Sequence, residues 1–200
     1  MVTEEEARRI GTPKEWDYAS DCTDILLCST RGGSELRRLF LEAFIRPGLD
    51  LRNWTSRSNY AARGIVATAD NELSLYVSHN VGYPSEHLRR YSLRPDGFVS
   101  VSAGYSGGGM VTRPFVFSGS RLLLNYATSA GGGLKVEVQT VAGQPLAGFA
   151  LADCSELIGD RLDGAVRWKG GADVRRLAGK PVRLRFLLRD ADLYSFRFAK

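Results

Sequence analysis

The sequence predicts an all-β chain whose C-terminal half folds as a β-sandwich. Three observations carry that prediction. Short apolar runs bounded by Gly, Pro, Asn, Asp and Ser recur along the whole 200-residue length. From residue 98 onward these runs alternate apolar and polar side chains with period 2, as antiparallel sheets packed on one face do. Helical signals are confined to residues 3–10, where Thr3 and Glu6 stand at capping-box spacing, and residues 173–178, long enough for one turn.

Five strands are predicted before residue 95. Residues 25–29 are apolar and run into the turn Arg31-Gly32-Gly33, and residues 39–45 follow as a second strand. Residues 64–68 and 72–78 read as a hairpin across Ala69-Asp70-Asn71. Residues 87–93 end at Arg94-Pro95-Asp96-Gly97, the strongest turn signal in the chain. These strands hold too few apolar positions to close a core, so they need a partner: the C-terminal half, a second subunit, or a further region of chain.

Seven strands are predicted afterwards, at residues 98–103, 111–117, 121–127, 134–140, 164–168, 182–189 and 193–198. Leu134, Val136 and Val138 alternate with Lys135, Glu137 and Gln139. Val182, Leu184, Phe186 and Leu188 alternate with Arg183, Arg185, Leu187 and Arg189, and Tyr194, Phe196 and Phe198 alternate with Ser195 and Arg197. Seven such strands in about 100 residues indicate a β-sandwich. Val136, Val138, Leu184, Phe186, Tyr194, Phe196 and Phe198 are its expected core. Gly107–Gly109, Gly131–Gly133 and Gly170–Gly171 fall between the predicted strands and read as tight turns with φ > 0. The organisation is therefore a β segment over residues 1–96 and a sandwich over residues 97–200.

Composition excludes several classes. No apolar run approaches the roughly 20 residues that span a bilayer, so no membrane partner is expected. The N-terminal MVTEEEARRI lacks an apolar h-region, so no signal peptide is visible; the chain reads as cytoplasmic if complete, or as a piece of a longer exported protein. Cys22, Cys28 and Cys154 have neither disulfide nor zinc spacing and are expected as buried free thiols. The net charge of +5 comes with 22 Arg among 27 basic residues, dispersed and without aromatic interleaving, so nucleic acid is rejected as a partner.

The densest functional signal is RPGLDLRNWTSRSNY, residues 46–60. This connection is long and carries both Trp54 and Tyr60, which a disordered linker should lack. Arg46, Asn53, Trp54, Arg57 and Asn59 combine one flat apolar ring with planar hydrogen-bonding groups. Sugars need both, for their C–H faces and their hydroxyls. In an extended segment Arg57 and Asn59 would face the same way. The competing reading is a surface loop whose Trp54 caps the core and whose arginines pair with Glu42, Asp50 and Glu72.

The pieces FLEAFIRPG, NWTSRSNY, LRRYSLRPDGF, LNYAT, DC (153–154), GD (159–160), WKGG and LAGKPVRLRFLLRDADLYSF resemble the C-terminal end of a group of bacterial proteins similar to five-bladed β-propeller glycoside hydrolases, the kind that includes invertases and arabinanases. The resemblance spans roughly residues 24–198. It implies a propeller followed by a β-sandwich, with residues 1–96 as an incomplete, propeller-like segment: the outer strands of one blade at 25–29 and 39–45, and most of the last blade at 64–68, 72–78 and 87–93. It places the loop 46–60 at the rim of the axial pocket. A five-bladed propeller of four-stranded blades needs about 250–300 residues, so the blades that hold the catalytic carboxylates in such enzymes would lie outside this chain.

Within the chain no catalytic pair stands out. Glycoside hydrolysis needs two carboxyl groups about 5–9.5 Å apart. Glu42, Asp50, Glu72 and Asp96 are not paired by spacing, and no GxSxG elbow occurs. His79 and His87 close one strand pair, as base, sugar ligand or polar loop residues. Asp153, Asp160 and Asp163 fit no calcium-loop signature, so no metal site is assigned. Trp168 in WKGG is a stacking platform or, more ordinarily, a core plug. The expectation is a carbohydrate-associated module without catalytic residues of its own and without a cofactor. Its expected partners are a carbohydrate and either a missing propeller region or a second subunit. A structural or interaction module with no sugar site is the alternative.

Overall fold

The computed structural model describes residues 2–16 and 19–200. The chain is all-β, with antiparallel sheets, and divides into two units, Met1–Leu93 and Arg94–Lys200. Among the described residues α1 (Glu4–Ile10) is the one α-helix. It is closed at its start by the reciprocal Thr3–Glu6 capping box and at its end by left-handed Gly11. No helix among the described residues is long and apolar enough to cross a membrane.

In the first unit, β1 (Tyr60–Ala61), β2 (Val66–Ala69), β3 (Glu72–His79) and β4 (His87–Leu93) form one antiparallel sheet. β3 is central: β1 and β2 share one edge, and β4 pairs along the other from Leu73↔Leu93 to His79↔His87. The predicted hairpin closes across Asp70-Asn71, with Ala69 opposite Glu72. Residues 25–29 and 39–45 do not form strands. They meet through one bridge, Ile25↔Ile45, while Ser29 bridges to Arg37, ahead of the second segment. The core here is small, Ile45, Leu75 and Val77 with Ile25, Phe44, Tyr91 and Leu93 against it, so a segment such as 36–41 has no apolar surface on which to lie. Leu36, Leu39 and Leu41 are 69%, 69% and 83% exposed.

The second unit is one five-stranded sheet of β5 (Val101–Ala103), β6 (Gly108–Val111), β7 (Arg121–Gln139), β8 (Asp160–Ala165) and β9 (Arg183–Ala199). Its order is β5-β9-β7-β8, with β6 also on β9, and it curls around its own core. The seven predicted strands become five because β7 and β9 each join two of them; the one predicted at 111–117 meets β6 only at Val111, and Gly108 and Gly109, read as turn residues, lie inside that strand. Both are bent by register shifts, at Asn125/Tyr126 and across Thr128/Gly133. In β9 the buried positions run Leu184, Phe186, Leu188, then Ala191 and Leu193, so the phase of alternation changes at Asp190, which is left-handed at φ 44°. Read as sequence, that phase change looks like the end of a strand; in space it is a bend that keeps the apolar face on the core.

The glycines 131–133 are a correction of the turn reading. None has positive φ, and all lie inside β7. A Cβ at Gly132 would collide with the carbonyl oxygens of Arg189 and Asp190, and one at Gly133 with the Glu156 side chain. At Gly132, close backbone approach across the bend, rather than a left-handed turn, is what requires glycine.

Leu122, Leu124, Leu134, Val136, Val138, Leu184, Phe186 and Leu188 make the heart of the core, joined by Val166, Trp168 and Val174. Tyr194 is half-buried where β9 shifts register, and Phe196 and Phe198 pack against the core from its rim. The cysteine expectation holds for one residue of three: Cys154 is buried, whereas Cys22 and Cys28 are exposed in the sparsely packed first unit.

Candidate functional site

Residues 46–60 fold as a tied loop. Asp50 begins a short 3-10 turn (Leu51–Trp54), its carboxylate accepting from Arg52 N at 3.0 Å. Ser56, Arg57 and Asn59 then follow in the left-handed region, at φ 56°, 50° and 74°. Non-glycine residues held there cost about 1–3 kcal/mol each and persist only where the surroundings fix them.

What fixes them is a buried polar network centred on Asn53, which is 2% exposed. Its Nδ2 donates to Pro47 O at 3.0 Å and meets His79 Nδ1 at 2.8 Å, and its Oδ1 accepts from Asn80 N at 2.8 Å. Asn59 Nδ2 donates to Asn53 O at 3.1 Å and Thr23 O at 3.0 Å. Ser58 Oγ accepts from Val81 N at 3.1 Å, and Thr55 Oγ1 shares a 2.7 Å bond with Tyr83 Oη. The turn after β3 therefore acts as a template on which the loop is laid. Three buried oxygens, Ser56 Oγ, Asn59 Oδ1 and Asn80 Oδ1, lack a protein partner here and are natural seats for ordered water.

The five predicted residues divide into two sets. Asn53 and Asn59 are buried and hold the loop. Arg46, Trp54 and Arg57 reach the surface. Trp54 is 37% exposed, with its indole Nε1 donating to Gly48 O at 2.8 Å, so the ring is anchored by its polar edge. Arg57 pairs with Asp21 at 2.8 Å, and Asp50 is paired by Arg52 at 3.4 Å. Arg57 and Asn59 do not face the same way, because left-handed backbone replaces the extended segment on which that expectation depended.

His79, Asn80, Tyr83 and Tyr91 belong to this site, and sequence reasoning did not assign them to it. His79 is fully buried. It stacks on His87 at 5.6 Å and on Tyr91 at 5.9 Å between centroids, and its Nε2 lies 2.9 Å from Tyr91 Oη. The Asn53 amide cannot be flipped, since Pro47 O must face its nitrogen and Asn80 N–H its oxygen. His79 Nδ1 is therefore an acceptor, and the ring is neutral with its proton on Nε2.

That geometry gives a pH prediction. Burial, then Arg89 and His87, push His79 below its usual value, with Asp50 acting in the opposite sense. The unfolded chain then binds more protons than the folded one near the ordinary histidine pKa, so stability rises with pH in that range. The contribution is complete above about pH 6.5 and is lost as pH falls below it. Unfolding of the loop, followed by Trp54 fluorescence, should move to lower denaturant on acidification, and His79→Phe should flatten the profile. An unchanged profile in that variant would remove His79 as the cause.

The local carboxylates are not assembled for catalysis. Burial alone would raise the Asp50 carboxyl, but bonds from Arg52 N and Asn80 Nδ2, with the Arg52 charge, outweigh it and hold it below the usual range. Glu72 bonds Thr68 at 2.7 Å and Arg90 at 3.1 Å. Asp50 is tied to Asn80, just past the end of β3, while Glu72 begins that strand, about 23 Å away at the rise of an extended chain. Asp96 belongs to the second unit and accepts from Ser195 at 2.6 Å. Asp153 pairs with Lys169 at 3.2 Å and Asp160 with Arg94 at 2.7 Å; among the described residues no cluster has metal-ligand geometry. Trp168 is a core plug, 3% exposed, with its Nε1 donating to Val136 O at 3.0 Å.

Comparison of the chain with protein-family models, with curated proteins and with solved structures returned no match.

Proposed function

We propose that the chain is a carbohydrate-associated module, the C-terminal portion of a propeller-type glycoside hydrolase-like protein, which contacts sugar through the loop 46–60 and carries no catalytic pair of its own. One observation carries this reading: an exposed Trp54 ring, fixed through its own N–H, stands on a loop locked by a buried network around Asn53 and His79. A sugar subsite gains from an aromatic platform that does not have to be ordered on binding. Arg46 and Arg57 supply planar donors on the same loop.

The exposed apolar side chains of the first unit favour a second reading, an interaction module. Leu36, Leu41, Leu49 and Leu88 are 69%, 83%, 102% and 65% exposed, which suits a surface covered by a further propeller region or another subunit.

Titration with arabinan and β-fructan oligosaccharides separates the two. A lone subsite should bind near millimolar, about 4 kcal/mol. Amide shifts should be confined to residues 46–60 and their template, and Trp54→Ala should abolish them. Aryl glycosides, β-fructans and arabinans should not be turned over. Silence throughout the loop leaves the interaction module, and turnover that disappears on mutating Glu42, Asp50 or Glu72 would overturn the non-catalytic assignment.

A further inference from the structure

The two units differ sharply in charge. Residues 1–93 carry 12 basic and 13 acidic side chains, and residues 94–200 carry 15 and 9, so the whole excess of +5 comes from the second unit. Four of those nine acids are already held by cations: Glu137 by Arg185, Asp153 by Lys169, Glu156 by Arg189 and Asp160 by Arg94. A positive surface of this kind draws anionic partners from solution.

One concavity concentrates unpaired cations. A groove of about 450 Å³ runs beside residues 155–158 and β8, lined by Tyr126, Ser155, Glu156, Arg161, Asp163 and Arg167. Among the described residues neither Arg161 nor Arg167 makes an ion pair or a side-chain hydrogen bond. The Tyr126 hydroxyl has only a 3.5 Å approach to Ile158 O. Glu156 is turned to Arg189 at 3.6 Å, which leaves Asp163 as the acceptor without a cation.

We propose that this groove binds an anionic glycan, a polysaccharide bearing uronate carboxylates or sulfate esters. Two free guanidinium forks suit planar anionic groups, while Asp163 and Ser155 suit the hydroxyls beside them. A ligand made only of phosphodiesters would face Asp163 with nothing to donate. The groove also lacks the exposed aromatic platform that single-stranded nucleic acid uses, since Tyr126 is 4% exposed. The choice of a sugar polymer rests on the carbohydrate-associated reading above; the preference for negative charge rests on this groove.

The test uses the full chain with polygalacturonate, dextran sulfate, neutral arabinan and a single-stranded oligothymidylate. Binding of polygalacturonate or dextran sulfate at residues 155–167, weakened by salt and absent from those residues with arabinan, supports the proposal and tells carboxylate from sulfate. Arg161→Gln combined with Arg167→Gln should weaken it at least about tenfold, by loss of two charge-assisted contacts. Arg113→Gln combined with Lys180→Gln removes the same charge elsewhere and should change it less than about twofold, since screening confines distant charges. Amide shifts at residues 155–167 should report binding independently of the variants. Equal weakening by both pairs, equal binding of arabinan at residues 155–167, or tighter binding of oligothymidylate would each overturn the proposal. Trp54→Ala should leave this binding intact, so a silent loop 46–60 with an active groove defeats only the earlier reading.

Discussion

Leu184→Ala is expected to destabilise residues 94–200 by about 2–5 kcal/mol, the cost of truncating a fully buried leucine in a core that cannot collapse around the hole. Leu184 has no exposed surface and lies on β9 opposite Val138. Leu184 is also tied to the segment after β6 at both of its backbone groups: Thr112 N donates to Leu184 O at 2.9 Å, and Thr112 Oγ1 accepts from Leu184 N at 3.0 Å. The side chain is thus held between two neighbouring strands, and neither can move inward without breaking ladder bonds.

The neighbouring residue makes the control. Leu187 is the same residue type on the same strand, on the opposite face and 42% exposed. Leu187→Ala should stay within about 0.5 kcal/mol. Denaturant unfolding followed through Trp168, buried in the same core, reads both variants. Comparable losses in the two would mean that the alternation along β9 does not set the core face.

Much of the second unit is legible because its signal is local. Period-2 alternation marks Val136, Val138, Leu184 and Phe186 as core, and all four are buried; along 134–139 the polar positions Glu137 and Gln139 are buried too, bonded to each other and to Leu151 N. Strand ends are less legible. A bend built from a register shift, as at Asp190, interrupts alternation just as a loop would, and only the pairing partner tells them apart. Gly132 misleads for the same reason: the carbonyls that exclude a side chain there come from β9, more than 50 residues away in sequence.

The first unit is legible in its hairpin and β4 but not at 25–29 and 39–45, where apolar composition suggests strands and a sparse core gives them nothing to pack on. At the candidate site, residue types marked the loop 46–60 as unusual. They did not divide it into residues that build and residues that face solvent. Asn53 and Asn59 look like surface hydrogen-bonding groups in sequence. The burial of Asn53 depends on His79 and Asn80, more than 20 residues away, and the one trace of that connection is a histidine at the end of a strand followed by an asparagine that can adopt φ 55°.

Asn53→Ala is expected to cost about 3–9 kcal/mol, because it strands three buried groups at once, each at about 1–3 kcal/mol. Pro47 O, Asn80 N–H and His79 Nδ1 all lose their partner, while the bond from Asn59 to the Asn53 carbonyl is retained. With a core as small as that of residues 1–93, the loop should lose its fixed structure, and Trp54 fluorescence and its indole N–H signal should become those of a mobile chain. Asn53→Asp is the sharper probe. The introduced carboxylate still accepts from Asn80 N–H, but its second oxygen now opposes Pro47 O and faces His79 Nδ1. That oxygen accepts a proton-bearing Nδ1, so the folded state favours charged His79 and its pKa rises above the unfolded value. The pH dependence should then reverse: the histidine's contribution is present below about pH 6.5 and is lost as pH rises through the raised value. Ring nitrogen shifts of His79 read the tautomer directly, with Nδ1 unprotonated at neutral pH in the parent chain. A parent ring protonated at Nδ1, or an Asn53→Asp chain with unaltered pH dependence, would show that the Asn53 amide does not dictate the state of His79.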